Sequence, residues 1–312
     1  MSPPRSLTVV VAAYNEEACL PLLHRRLRPV LDELGLEARV LYVDDGSNDA
    51  TWATIEALAA EDPRVGRLRL SRNFGKELAL TAGLDHVDTD AAMILDADGQ
   101  DPPELIPQFV AQWHQGYDIV YGTRSRRLGE TWFKRATAAA FYRVINRLSD
   151  TAIPADTGDF RLMSRRALEA MRGLRERQRF LKGLFAWVGF PQTAIAYQRE
   201  PRLAGASKFN YWRLWNLALE GITGFSTLPL RVATYLGLLT ALLAFAYGAW
   251  IVAKTLIWGD PVPGWPSLMA VVSLLGGVQL MALGVIGEYL GRLYLEAKQR
   301  PLYLVRDWRP GN

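Results

Sequence analysis

Two carboxylates one residue apart, Asp96 and Asp98, stand near the end of the run Met93-Ile-Leu-Asp-Ala-Asp-Gly-Gln-Asp-Pro-Pro103. Met93, Ile94 and Leu95 finish an apolar run of the kind a covered parallel strand shows. Gly99 permits a sharp turn. Pro102 and Pro103 suit the opening of a helix, where a missing N–H loses no bond. Ligands of open α/β sheets sit beyond the carboxyl ends of the strands. Two acids so placed suit a hard divalent cation with oxygen ligands, and such a cation can also hold a diphosphate. Taken alone, the triplet is equally well a solvated acidic turn.

The neighbouring motifs shift that balance. Ala12-Ala-Tyr-Asn-Glu-Glu17 and Asp44-Asp-Gly-Ser47 also follow strand-like runs, so three strand ends bring polar, mostly acidic groups to one edge. Helix capping explains any one of them and explains all three together poorly. Acids facing a nucleotide can bind N–H and O–H groups of base or ribose, but they cannot face bare phosphates without a cation between. Basic groups complete the balance in Ser71-Arg-Asn-Phe-Gly-Lys76, Tyr121-Gly-Thr-Arg124 and the glycine-containing Arg202-Leu-Ala-Gly-Ala-Ser-Lys208. Arginine suits bidentate phosphate binding and lysine acts as a point charge. On a surface loop either is also an ordinary solvated residue.

The elements that must position these groups alternate through the first two thirds of the chain. Strands are expected at Leu7–Ala12, Ala38–Val43, Val65–Leu70, Ala91–Leu95 and Asp118–Thr123. Helices are expected at Glu17–Leu34 (with Pro29 inside), from Thr51 to about Glu61, at Lys76–Val87 and at Pro103–Gln115. This rhythm implies an α/β fold with a mostly parallel sheet and helices on both faces. The length of 312 residues suits one large domain or two modest ones. A net charge of +4 gives no argument for nucleic acid, and the single cysteine, Cys19, excludes an internal disulfide. The polar stretch before the first strand has no signal-peptide pattern, which leads to the expectation of a cytoplasmic catalytic domain.

The last third changes character. Val232–Ala253 and Trp265–Gly287 carry no charge over 22 and 23 residues. At ~1.5 Å per residue each reaches about 33 Å, enough for a hydrocarbon core of roughly 30 Å. Two transmembrane helices are therefore expected, at about 232–257 and 265–290. Arg231 lies on one outer flank, and Arg292, Lys298, Arg300, Arg306 and Arg309 lie on the other. This asymmetry places both flanks, and both termini, in the cytoplasm. Trp250, Trp258 and Trp265 cluster near the linker, as an interfacial belt would. Trp132–Leu148 and Phe209–Phe225 combine aromatic and apolar residues at roughly helical spacing with interleaved basic or polar ones, and read as amphipathic helices at the membrane surface. The resulting division is a catalytic domain over 1–207, a juxtamembrane helix over 208–229, a hairpin over 230–293 and a cytoplasmic tail over 294–312. Glu288 and Arg292, four apart, are expected to pair on one helix face.

In order, Val-Val-Val-Ala-Ala-Tyr-Asn-Glu-Glu, Val-Asp-Asp-Gly-Ser-Asn-Asp-Ala-Thr, Ser-Arg-Asn-Phe-Gly-Lys-Glu, Leu-Asp-Ala-Asp-Gly-Gln-Asp-Pro-Pro-Glu, Gly-Thr-Arg, Thr-Gly-Asp-Phe-Arg-Leu and Gly-Ala-Ser-Lys resemble the family 2 glycosyltransferases. More narrowly they resemble the polyprenyl-phosphate glycosyltransferases, the group of dolichol-phosphate mannose synthase and bacterial undecaprenyl-phosphate glucosyltransferases. The resemblance spans nearly the whole chain and includes the closing Gly287-Glu-Tyr-Leu-Gly-Arg292. It implies a GT-A type fold and inverting transfer of a sugar from a nucleotide-sugar, UDP-glucose first and GDP-mannose or another UDP-sugar as the alternative, to undecaprenyl or another polyprenyl phosphate. By motif position, Asp96, Asp98 and Gln100 would hold Mg²⁺ or Mn²⁺. Ala12, Tyr14, Glu16, Asp44, Asp45, Arg72, Lys76, Asp96, Ala97 and Arg124 would bind the donor. Arg124, Arg202, Ser207 and Lys208 would bind lipid phosphate. Asp159, in Gly158-Asp-Phe-Arg161, takes the place of the catalytic carboxylate, with Asp98, Arg202 and Lys208 beside it. The implied partners are the nucleotide-sugar, the lipid acceptor and a bacterial cytoplasmic membrane, with a homo-oligomer, a tetramer, among the relatives.

Three other functions are weighed against this. A processive polysaccharide synthase needs more membrane helices and a Gln-x-x-Arg-Trp motif, which the sequence lacks. A nucleotidyltransferase needs a glycine-rich loop near the start. A non-catalytic adaptor that binds nucleotide-sugar would not need Asp96, Asp98, Asp159, Arg202 and Lys208 together.

Overall fold

The structure is a computed structural model, and it describes residues 6–124, 157–177, 179–201, 228–258 and 264–311. Apolar runs, β-branched in the first, fill β1 (Ser6–Ala13) and β2 (Glu37–Asp44), which are buried along most of their length because helices cover both faces. Between them, α1 (Leu20–Glu33) buries Leu20, Leu23, Leu27 and Leu31, one stripe of the helix. The chain continues through α2 (Thr51–Glu61), β3 (Val65–Leu70), α3 (Lys76–Asp85) and β4 (Ala91–Ile94). A short 3₁₀ turn at Pro103–Leu105 leads into α4 (Ile106–His114) and then β5 (Ile119–Arg124). These elements match the expected ones to within a few residues.

The second half of the catalytic domain was not anticipated as elements. It comprises β6 (Thr157–Ser164), α5 (Arg165–Gly173), α6 (Leu181–Trp187) and β7 (Gln192–Tyr197). After it come two long helices, α7 (Leu228–Trp258) and α8 (Trp265–Ala297), and a last strand, β8 (Val305–Arg309). The sheet order is β7-β5-β6-β4-β1-β2-β3-β8. Strands β4, β1, β2 and β3 are mutually parallel, and β7 is parallel to β5. Strand β6 runs antiparallel between β4 and β5, and β8 antiparallel along β3.

Two apolar layers flank the sheet. One packs α1, α2 and α4 on it through Leu23, Ile55 and Phe109; the other packs α3, α5 and α6 through Leu80, Leu168 and Phe185. The chain moves outward from β1 to β2 to β3 and then crosses back to β4 on the other side of β1. That reversal is the topological switch point where open α/β sheets bind ligands.

The expected surface helices at Trp132–Leu148 and Phe209–Phe225 lie outside the described residues. The hairpin helices are longer than a bilayer core requires: 31 and 33 residues, or about 46 and 50 Å. Each contains a stretch long and apolar enough to cross a membrane, Val232–Ile251 and Leu274–Ala297. Side chains such as Phe245 and Leu256 are about four-fifths exposed. Exposed apolar surface on this scale marks a membrane-interaction site. Arg292 and Glu288 pair at 2.7 Å, as their spacing leads one to expect.

Candidate active site

The carboxyl ends of β1, β2 and β3 are tied to one another by their loops. Asn15, at a left-handed φ of 54°, donates its N–H to Ser47 Oγ and accepts from the Asn48 N–H through Oδ1. The Glu16 N–H donates to Thr51 Oγ1. Tyr14 Oη lies 3.5 Å from Asn48 Nδ2. Ala12 and Ala13 pair in register with Val43 and Asp44. Gly46 has a φ of 67°, and a Cβ there would meet the Arg72 carbonyl carbon at 2.4 Å. Only glycine lets the β2 and β3 loops approach this closely.

Asp44 and Asp45 spend their oxygens on this scaffold. Asp44, fully buried, accepts from the Ser47 N–H at 2.9 Å and pairs with Arg69 at 3.1 Å. Asp45 takes the Phe74 and Gly75 N–H groups at 2.7 and 2.9 Å, so it shapes the entry to α3. Burial pushes its carboxyl up despite those two donors. A ligand bound at these carboxylates would share them with the fold.

The chemical cluster forms where β4 meets β6. Ile94 pairs with Arg161 and Met93 with Leu162. Continuing that antiparallel register by two residues sets Asp159 opposite Asp96. Lys76, the first residue of α3, bridges them, with Nζ 2.6 Å from Asp96 and 2.5 Å from Asp159. Burial alone would raise the Asp159 carboxyl, but Lys76 and Lys182 overcome it and hold the group well below the usual carboxylate range. Burial would lower the Lys76 ammonium, and Asp159 and Asp96 instead raise it. Arg161 is 2 % exposed and lies over the Phe185 ring at 4.0 Å. Burial draws its guanidinium down to about 10.

Asp98 is buried, accepts from the Gln100 N–H at 3.1 Å, and lies 3.9 Å from Arg199. Ala97, between the acids, is buried. Gln100 Nε2 donates to the Glu200 carbonyl and the Glu200 N–H donates to the Gln100 carbonyl. Only the Gln100 amide oxygen is therefore suited to a cation. Glu200 is also clamped by Arg26, which reaches Glu104 as well. This fixes the chain just before Arg202; Arg202, Ser207 and Lys208 lie outside the described residues. Arg124 ends β5 in register with Tyr197. Arg72 lies 4.1 Å over the Phe74 ring, at the rim of the cleft beside Tyr14.

One residue was missed. Glu77, next to Lys76 in α3, accepts from the Leu181 N–H at 3.3 Å, and burial followed by the Asp159 charge pushes its carboxyl up to about 7. The only sequence signal was its place after Lys76 in the third motif.

Asp96, Asp98 and the Gln100 amide oxygen are donors of the type a divalent cation takes, although among the described residues no three His, Cys, Asp or Glu side chains converge to hold one. An ammonium between Asp96 and Asp159 already shows that this edge favours positive charge, and Asp159 Oδ1 is buried with no hydrogen-bond partner among the described residues.

The model for glycosyl transferase family 2 matches residues 8–172, more than half of the chain, and the model for the GtrB C-terminal hairpin matches 228–293. An uncharacterized glycosyltransferase of Synechocystis sp. is 52% identical over 96% of this chain and 95% of its own length. This chain belongs to glycosyl transferase family 2. A second relative, the SfII prophage-derived bactoprenol glucosyl transferase of Shigella flexneri, is 48% identical over 98% of this chain and 99% of its own. Among solved structures, glucosyl-3-phosphoglycerate synthase from Mycobacterium tuberculosis, in complex with Mn²⁺, UDP-glucose and phosphoglyceric acid, matches with a TM-score of 0.48 and 19% identity. The match covers 70% of this chain and 78% of that one. The expected α/β sheet with helices on both faces is observed, widened by the antiparallel strands β6 and β8 into a mixed sheet, and the quoted motifs within the described residues lie at its carboxyl edge or in the loops around it.

Proposed function

We propose that this chain transfers glucose from UDP-glucose to undecaprenyl or another polyprenyl phosphate at the cytoplasmic face of a bacterial membrane. The observation that carries this reading is the Lys76–Asp96–Asp159 cluster at the carboxyl end of β4, in a sheet whose chain continues into an apolar helical hairpin. The near-full-length similarity to a bactoprenol glucosyl transferase supports the sugar and the lipid.

The acceptor is a phosphate monoester with a second pKa of about 6, so at neutral pH it is largely a dianion and needs little deprotonation. An acceptor oxygen attacks the anomeric carbon from the face opposite the diphosphate, the carbon–diphosphate bond breaks, and the configuration inverts. Asp96 and Asp98 would hold Mg²⁺ or Mn²⁺, which when bound takes up the charge growing on the leaving oxygen. Asp159, held ionised by Lys76 and Lys182, is a poor proton acceptor and a good anchor for the lysine. It orients the acceptor side of the site. Arg202 and Lys208, by their motif positions, screen the repulsion between the two anionic substrates, and Arg124 and Ser207 share the lipid phosphate.

The test is nucleotide release by detergent-purified protein with Mg²⁺ or Mn²⁺ and undecaprenyl phosphate, across a panel of UDP- and GDP-sugars. Lipid-dependent release with UDP-glucose preferred is the expected result. Metal-dependent nucleotide binding with no release from any donor would favour a nucleotide-sugar-binding adaptor.

A further inference from the structure

Strand β8 is not regular along its whole length. Arg67, Leu68 and Arg69 of β3 pair in step with Arg309, Trp308 and Asp307, but the next residue, Leu70, pairs with Val305. Arg306 is therefore the extra residue of a β-bulge, a device that re-aims a side chain and recurs beside active sites. The bulge delivers Arg306 into the lining of a cavity of about 260 Å³ at the carboxyl edge of the sheet, with Tyr14, Ser47, Asn48, Arg69 and Arg72. Arg69 is neutralised there by Asp44. Among the described residues neither Arg72 nor Arg306 has an ion-pair partner. The cavity thus combines an aromatic phenol, small polar groups and two guanidinium groups outside any close ion pair, Arg72 being held over Phe74 and influenced by the nearby Asp45 charge, a set suited to an anionic nucleotide.

We propose that Arg306 binds the nucleotide part of the donor, so that the donor pocket is completed by a strand lying beyond the membrane hairpin. This rests on the reading of the chain as a nucleotide-sugar-dependent transferase, and adds to it a residue from outside the 8–172 match. The tail is fastened for this task. The Arg177 N–H donates to Glu296 at 2.7 Å, Tyr303 donates to Asp85 at 2.8 Å, and the Ser71 N–H donates to the Leu304 carbonyl at 2.9 Å.

The experiment titrates UDP and GDP separately into the full-length, detergent-solubilised protein and into R306A, R306K and R309A, each checked for thermal stability. Arg309 is on the same strand and pairs alongside Arg67, so it reports on strand damage alone. R306A is expected to weaken the preferred nucleotide about tenfold or more, R306K to recover part of the loss, and R309A to bind like wild type. In turnover assays the R306A loss should appear in the donor KM and leave the lipid KM unchanged. Wild-type affinity in R306A, or equal losses in R306A and R309A with a shared fall in stability, would overturn the inference and leave the transferase reading standing. A wild-type protein that binds neither nucleotide would overturn both. Arg306-dependent binding without any lipid-dependent release would overturn only the transferase reading.

Discussion

Asp159 is the residue whose role the geometry narrows most. Its carboxylate is paired with Lys76 and held ionised, so Asp159→Asn should lower turnover about 10²-fold through lost electrostatic positioning. Nucleotide affinity should persist and the shape of the pH–rate profile should not change. Disappearance of the acidic limb of that profile would instead make Asp159 a proton acceptor. Glu77 gives a second prediction. Its folded carboxyl, near 7, lies above its ordinary value, so its protonated form is favoured in the native state. The stability it contributes is complete below the unfolded pKa of about 4.3 and is lost as pH rises towards 7. Glu77→Gln should flatten that part of the stability–pH curve, as followed by thermal unfolding between pH 4 and pH 8. An unchanged slope would show that the folded group titrates normally. At the Asp96–Asp98 pair, Asp98→Asn should weaken UDP binding in Mn²⁺ while leaving metal-free UDP binding as in wild type, a comparison that calorimetry makes directly.

The loops between strands and helices matter more at the next scale than the helices themselves. Gly46 joins the β2 and β3 loops, with a positive φ and no room for a methyl group. Gly46→Ala should cost at least about 1–3 kcal/mol from backbone strain alone. Moving the Arg72 backbone should weaken nucleotide binding in parallel, as thermal melts with and without UDP would reveal. A folded variant with normal affinity would show that this approach is not needed for the pocket. Strand β6 does comparable work from the other side. Its antiparallel register, and not any local motif, brings Asp159 to Asp96.

Across the whole molecule, β8 constrains how the hairpin can cross a membrane. Because β8 hydrogen-bonds to β3, the chain must return to the side on which the catalytic sheet lies. Two crossings satisfy this, and one does not. Epitope tags on both ends should therefore be cleaved by protease only in inverted membrane vesicles. Cleavage of the two tags from opposite faces would contradict the β3–β8 pairing. We propose that this shared side is the cytoplasm, a reading supported by Lys298 and Arg300 just beyond the second apolar stretch.

Much of this protein was legible in the chain alone. Apolar runs ending in Ala12, Val43, Leu70 and Leu95 marked the parallel strands, because a strand covered on both faces must be apolar throughout. The polar triplets after them marked the ligand edge, and two charge-free runs marked the hairpin. The tertiary structure decided what depends on pairing between distant segments. Strand β6 enters antiparallel beside β4, a choice with no local signature, and it creates the Asp96–Lys76–Asp159 bridge. Asp44 and Asp45, alike in sequence, were shown to hold loops through buried hydrogen bonds. The tail after Ala297 mixes basic, aromatic and aliphatic residues with two prolines and has no clean alternation, and it became a strand because β3 offered an unpaired edge. Register and edge pairing are set by backbone hydrogen bonds between residues far apart in the chain, which local periodicity does not encode.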